Sequence, residues 1–393
     1  MNLDETQLGA VRHAVSSRFS VITGGAGTGK TTIIKTIADE LEAGGKPVNL
    51  CAFAGKAAAR LKEATRRETS TIHRMLGYMG TRFMLESLKG KSVIVDEASM
   101  VDSELMAEII KREPDRLVLV GDAAQLPPVG KGQPFHDIIA LRPDVVYELT
   151  KCYRNSEAVF KAATAIRNGA PVLDHDESEN EKWRILNTGN EDATHAAIIE
   201  QVKRGWLDFD KDVILCPRNG SPEMLASVDS LNTDIANLLL PRKPHERFVP
   251  GDRVMNTKNM PDLDIWNGTT GKVLAVNVDG GMSVKLDEPV IDWTRSSQGT
   301  IIHKDQVSVT KTEAKEFKLA YALTTHKSQG SQYRKVVFVC LRRDVRALLS
   351  RPLIYTAVTR TREQCVVVGE RWAFMEGCRT LTSKQTVLQQ LAR

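Results

Sequence analysis

The sequence predicts an α/β protein with two parallel-sheet cores, the second interrupted by a small all-β module. Three observations predict it. Up to about Thr150, apolar strand-like runs alternate with helical runs, the β-α-β pattern of a parallel sheet. Three of those strands run straight into polar clusters, and ligands of such sheets bind at the strand carboxyl ends. From about Phe248 to Val309 the texture changes to short strands separated by turn pairs such as Asn267-Gly268 and Asp279-Gly280, after which the α/β texture resumes.

The bulk properties bound the answer. A chain of 393 residues exceeds one core, and two to three domains are expected. Hydrophobic content of 41% and charged content of 26% are those of a globular protein. A net charge of +5 permits a polyanionic partner without requiring one. No apolar run reaches the ~18 residues of a membrane span, and the polar start M-N-L-D-E-T-Q is not a secretory signal. The six cysteines form no C-x-x-C pair, so no zinc or iron–sulfur site is expected. They read as reduced core thiols of a cytoplasmic protein with no membrane partner.

Taken in order, an amphipathic helix through Val15 carries Gln7, which by itself is only a solvated helix residue. Strand Phe19–Thr23 then enters Gly24, Gly25, Ala26, Gly27, Thr28, Gly29, Lys30, Thr31 and Thr32, and a helix runs on to about Glu42. The stretch matches G-x-x-x-x-G-K-[ST]. A phosphate chain needs many short donors aimed at one point, and a loop nearly free of side chains lets backbone N–H groups curl around it. The helix adds its N-terminal dipole, Lys30 a charge for the β/γ-phosphates and Thr31 a hydroxyl for magnesium. ATP and Mg2+ are the expected cofactors.

Strand Pro47–Phe53 leads into a helix opening at Ala54-Gly55-Lys56, where small residues and one charge would admit a phosphate; a plain strand-to-helix turn explains them equally well. His73 follows, read as a core residue on its own, and residues 76–90 suit a small hairpin. Strand Lys91–Val95 delivers Asp96 and Glu97, the pair a magnesium–phosphate site needs: one carboxylate holds the hydrated metal and the other orients water. Strand Arg116–Val120 ends near Gln125, placed to sense a γ-phosphate. Tyr153 and Arg154 taken singly are an ordinary surface pair.

A second core opens at Val213–Pro217. Beyond the β-rich stretch the α/β texture resumes with Phe317–Leu323, then Thr324-Thr325-His326-Lys327-Ser328-Gln329-Gly330-Ser331-Gln332, strand Val336–Cys340, the segment through Thr359-Arg360, and a closing strand Cys365–Val368. Trp266 and Trp293 read as core.

With the phosphate loop, Asp96-Glu97, Gly121–Pro128, Tyr153-Arg154, Thr324–Gly330 and Thr359-Arg360 in this order, the chain resembles a superfamily 1 DNA helicase of the RecD/Dda branch, over nearly its whole length. The resemblance implies two RecA-like P-loop domains with ATP between them and an inserted SH3-like barrel: 1–145 as the first domain with a hairpin insertion at 76–90, 146–250 and 311–393 as the second, 251–310 as the module. It implies that Gln7 reads adenine, Tyr153 stacks near it, Gly330 and Gln332 lie at the nucleotide (Gln332 where a ribose-binding glutamate is usual), and Arg154 and Arg360 reach the γ-phosphate. It implies that Phe53, Lys56, His73, Thr324 and His326 line a strand channel, with Ala54 lacking the hydroxyl the family usually offers. The implied activity is 5′-to-3′ ATP-driven translocation on single-stranded and tailed duplex DNA, with replication or recombination proteins as partners. An RNA or RNA/DNA helicase and an ATP-switched, non-unwinding clamp are the alternatives.

Overall fold

The computed structural model describes residues 3–151, 157–171, 182–221, 223–291, 303–381 and 386. The chain divides into two compact units, Met1–Gly169 with the C-terminal end from Leu381, and Ala170–Thr380.

In the first unit, α1 (Glu5–Ser16) precedes β1 (Phe19–Gly24), α2 (Lys30–Ala43), β2 (Val48–Ala52), α3 (Gly55–Thr65), β3 (Thr69–Thr71), the single turn α4 (Ile72–Met75), β4 (Ser92–Asp96), α5 (Ser103–Ile110), β5 (Arg116–Gly121), α6 (Pro134–Leu141), β6 (Val146–Leu149) and α7 (Glu157–Arg167). The six strands form one parallel sheet in the order β3-β2-β4-β5-β1-β6. Alternation along each strand feeds two cores. Ile22, Leu50, Ile94 and Val118 face Ile33, Ile37 and Leu41 of α2 and Ala10 and Val11 of α1. Val21, Cys51, Val93 and Leu117 face Ile72, Leu105, Met106, Ile109 and Phe135. Asp4 and Gln7 start α1 with a capping box. Between α4 and β4 the chain makes a short turn, with an antiparallel bridge between Tyr78 and Phe83.

The second unit contains β7 (Trp183–Asn187), α8 (Glu191–Lys203), β8 (Val213–Cys216), α9 (Val228–Leu239), β9 (Arg253–Asn256), β10 (Thr270–Val276), β11 (Met282–Ile291), β12 (His303–Val309), the short α10 (Lys311–Ala314), β13 (Phe317–Leu319), β14 (Ala322–Thr324), β15 (Tyr333–Cys340), α11 (Arg351–Thr359), β16 (Thr361–Gly369) and α12 (Arg371–Arg379). Its parallel sheet runs β14-β8-β15-β16-β7. Ile214, Val337, Val339 and Val366 pack on Ile198 and Val202 of α8 and Leu231 and Ile235 of α9.

The inserted module is a five-stranded antiparallel sheet, β12-β11-β10-β9-β13, around Val254, Ile265, Val273, Val284, Val307 and Phe317. Among the described residues its end strands pair on one side only, β12 with β11 and β13 with β9. The run expected as one stretch, Phe317–Leu323, serves two sheets. Phe317–Leu319 pairs with β9, while Ala322–Thr324 pairs with β8. Both halves are apolar, so periodicity could not divide them. The division comes at Ala320, whose N–H donates to Arg253 O. Asn232 at the turn donates to Ala322 O and accepts from the N–H groups of Tyr321 and Ala322.

Candidate active site

The phosphate loop joins β1 to α2 at the carboxyl edge of the first sheet. Gly27 and Gly29 have φ of 82° and 85°, a region that disfavours side chains. A Cβ at Gly29 would lie 2.5 Å from Gln7 Nε2, and one at Gly24 would lie 2.8 Å from both Leu149 Cβ and Thr28 Oγ1. No side chain caps α2 at its N-terminus. Lys30 Nζ donates to the carbonyls of Gly24 (2.8 Å) and Gly25 (3.0 Å), so the ammonium sits within the curl of the loop. Thr28 Oγ1 donates to Gly25 O. Buried Gln7 donates through Nε2 to Thr28 O, which ties α1 to the loop. Ala26, Thr31 and Thr32 are half-buried, the two threonines in the first turn of α2.

The strand order sets β5 between β1 and β4, so Gly121 stands beside Thr23 and Leu119 beside Val95. Asp96 and Glu97 therefore meet the phosphate loop at one edge. The Asp96 residue keeps some exposed surface, yet its carboxyl is enclosed. That burial, then the Glu97 charge, pushes it up to about 6, against the pull of Lys30 and Arg60. Its Oδ1 accepts from Glu97 N. Glu97 takes φ of 51°, a left-handed conformation costly for a non-glycine residue, and it breaks the strand so that the chain turns at Ala98. Glu97 Oε2 and Gln125 Oε1 are both buried and accept no hydrogen bond among the described residues. Gln125 Nε2 reaches Asp122 Oδ2 at 3.4 Å, and Asp122 Oδ1 accepts from Ala124 N.

Two buried acceptors without donors, beside a lysine held by loop carbonyls, are what a nucleotide with a hydrated cation would complete. The oxygen donors Thr31 and Asp96 suit magnesium, which takes one or two protein oxygens and fills its shell with phosphates and water. No cluster of three or more His, Cys, Asp or Glu side chains suited to a metal occurs among the described residues. Tyr153 and Arg154 lie outside the described residues.

Phe53, His73, Tyr78 and Phe83 form an aromatic group. The His73 ring lies 6.4 Å from Phe53, 5.3 Å from Tyr78 and 6.0 Å from Phe83. Burial holds the imidazole below its ordinary value, partly opposed by Asp102. Lys56 is in the first turn of α3, where Ala54 occupies the capping position and makes no side-chain cap bond.

In the second unit, Arg360 is buried at the end of α11. Its Nε donates to Thr356 O (3.1 Å) and its Nη1 to Ser331 O (3.4 Å), so the guanidinium ties the helix to the loop after β14. Gly330 adopts φ of 75° in that loop, and Gln332 Oε1 accepts from Arg362 Nε at 3.3 Å. Thr324 ends β14 and caps the following turn by accepting from Lys327 N, while burial lowers the affinity of His326 for a proton.

Thr324 also lines a cleft of about 220 Å³ with Asn219, Arg247, Lys318 and Lys327. Burial, then the charge of Lys318, lowers the Lys327 ammonium. Of these four companions, only Lys327 falls in a run quoted from the sequence, where it was given no role. Lys327 adjoins His326 and was open to it; Asn219, Arg247 and Lys318 come from three separate segments with no shared signal.

Residues 2–183 match the family described as AAA domain, and residues 319–368 the UvrD-like helicase C-terminal domain. The whole chain aligns at 34% identity with the ATP-dependent RecD2 DNA helicase of Deinococcus radiodurans, covering 52% of that protein. The RecBCD enzyme subunit RecD of Mycolicibacterium smegmatis is 31% identical over 93% of this chain and 71% of its own length. The chain belongs to the RecD family. It spans about half the length of the Deinococcus relative. Among solved structures, a Pif1 helicase complex at forked double-stranded DNA superposes with a TM-score of 0.58 at 20% identity, covering 98% of this chain and 95% of that one. Bacteroides Pif1 bound to single-stranded DNA gives 0.53 at 21%, with the same coverage. At these identities the likeness is one of fold.

Proposed function

We propose that this RecD-family chain is an ATP-dependent DNA helicase or translocase that moves along single-stranded DNA, 5′-to-3′. The observation that carries the reading is the meeting of Lys30, Asp96, Glu97 and Gln125 at one sheet edge, with two buried acceptors lacking donors. The relatives' own descriptions, an ATP-dependent DNA helicase and helicases bound to single-stranded or forked DNA, support the substrate.

In this reading the loop amides from Gly24 to Thr32 and Lys30 bind the phosphates, Gln7 reads the adenine, and Tyr153, Gly330 and Gln332 complete the nucleotide site. Thr31 and Asp96 would hold Mg2+, which would offset phosphate charge. Glu97 accepts a proton from the attacking water and fixes its direction. Gln125 senses the γ-phosphate. Arg154 and Arg360 offset charge as the phosphoryl group transfers. Phe53, Lys56, His73, Thr324 and His326 contact the strand, the cleft at Lys318 and Lys327 adds phosphate contacts, and the 76–90 turn acts at the fork. The two parallel-sheet units correspond to the two RecA-like domains, divided near residues 145–170. Tailed duplex DNA is the substrate, and replication or recombination proteins are the partners. A cytoplasmic setting is supported by the free, buried Cys51, Cys216, Cys340, Cys365 and Cys378, whose thiols burial pushes up; Cys365 and Cys378 reach about 12. No helix among the described residues is long and apolar enough to cross a membrane.

The test is strand separation with ATP and magnesium on duplexes carrying a 5′ or a 3′ single-stranded tail. Opening of the 5′-tailed duplex alone supports motor and polarity together. Opening of the 3′-tailed one alone keeps the motor and reverses the direction. Failure on both, with no stimulation of hydrolysis by single strands, overturns the reading.

A further inference from the structure

The opposite edge of the first sheet, where strands begin, carries a second cavity. Arg18, Lys46, Gly90, Ser92, Asp115 and Arg116 line about 320 Å³ there. These residues come from the starts of four neighbouring strands or the turns just before them. Backbone bonds tie the rim: Leu117 N donates to Arg18 O, Ser92 N to Pro47 O, and Asp115 N to Lys91 O.

The charges are out of balance. Three cations face one carboxylate, and none of the three forms an ion pair among the described residues. Arg116 is only 7% exposed. Its Nη1 donates to the carbonyls of Ala14 and Ser17, which anchors the end of α1. That bonding engages one nitrogen, and Nε stays buried with no acceptor. Burial without a balancing carboxylate also lowers the guanidinium from its ordinary value. Proteins seldom bury an arginine in this way unless an anion completes it. Asp115 does not fill that role, since its Oδ1 accepts from Gly90 N across the turn.

We propose that this cavity is a binding site for a phosphate group, held by Arg18, Lys46 and Arg116. The net excess of two positive charges matches a phosphate, which carries about −1.5 to −2 near neutral pH. Arginine presents a planar fork suited to phosphate oxygens, and lysine adds a point charge. At ~30 Å³ per water the cavity has room for a phosphate with part of its hydration shell. The group is inorganic phosphate or a phosphodiester of nucleic acid, which share this chemistry. The proposal does not depend on the helicase reading, and its decisive readout, the phosphate dependence of melting, uses neither ATP nor a duplex.

The test is thermal melting of the full chain in rising inorganic phosphate at fixed ionic strength, in a Lys30→Ala background that weakens the phosphate loop. The midpoint should climb with phosphate. The exposed pair Arg18→Ala/Lys46→Ala should need at least tenfold more phosphate for the same climb, with ATP turnover unchanged when Lys30 is restored. Asp115→Asn, whose amide oxygen can still accept from Gly90 N, should need less phosphate. An unchanged response in the double variant, or a weaker one in Asp115→Asn, overturns the proposal. Once the double variant has lost the phosphate response, weaker binding of a twelve-residue oligothymidylate assigns the site to phosphodiesters. Unchanged oligomer affinity assigns it to free phosphate.

Discussion

Replacing Asp252 by asparagine should destabilise the second unit more than any surface change. Asp252 is fully buried at the first turn of the antiparallel module. Its carboxylate accepts from Arg242 Nη2 (2.7 Å) and Nη1 (3.1 Å), from Val249 N (2.8 Å) and from the Tyr321 hydroxyl (2.9 Å). Arg242 and Val249, from the segment before β9, and Tyr321, from the turn between β13 and β14, thus converge on one side chain. Arg242 is 10% exposed, so an amide opposite it leaves a buried charge facing N–H groups. Removing one member of a buried pair costs about 3–5 kcal/mol. For a unit of this size each kcal/mol moves Tm by about 2–4 °C, which gives a fall of ~6–20 °C. Scanning calorimetry of the full chain, following the transition of the second unit, measures it. The companion variant Asp252→Asn/Arg242→Met should recover most of the loss, because an apolar replacement leaves no charge stranded. A fall of less than ~3 °C in the single variant would refute the argument, as would a double variant no better than the single.

Four further outcomes are expected. Glu97→Gln should cut ATP turnover by roughly 10²–10⁴-fold while nucleotide affinity, read by equilibrium titration, changes little; equal losses in both would make Glu97 a binding residue. Gly29→Ala should weaken nucleotide binding and lower stability by about 1–2 kcal/mol, since φ of 85° is left-handed and the new methyl meets Gln7 Nε2; a neutral effect in both measurements would remove the packing role of Gln7. Arg360→Ala should lower turnover on the order of a thousandfold if the residue offsets phosphoryl charge, whereas a loss of a few-fold with a lower Tm would leave it a structural tie between α11 and Ser331. Burial depresses the proton affinity of His73 in the folded state, so its contribution to stability is complete above the unfolded value of 6.5 and is lost as pH falls through the lower folded value. Urea midpoints should therefore drop more steeply below pH 6.5 for the native chain than for His73→Phe, and parallel curves would contradict this.

Some of this protein is written locally and some is not. The phosphate loop was legible because phosphate chemistry demands glycines, a lysine and a threonine in consecutive positions, and the helix that follows starts where the motif says. Asp96-Glu97 was legible for the same reason, as two carboxylates at the end of an apolar strand. The all-β insertion announced itself through Asn-Gly and Asp-Gly pairs, which specify hairpin turns within a few residues. What depends on pairing between distant segments waited for the tertiary structure. Strand order, with β5 between β1 and β4, is set by how the apolar strands of the sheet share two faces, and it decides that Gln125 joins Lys30 and Glu97. The division of Phe317–Leu323 between two sheets rests on bonds to Arg253 and Asn232, far away in the chain. The left-handed turn at Glu97, the enclosure of Arg360 and the cation cavity of Arg18, Lys46 and Arg116 carry no local signature. A motif fixes its own backbone through short-range sterics, whereas burial and charge balance are sums over neighbours that only the folded chain brings together.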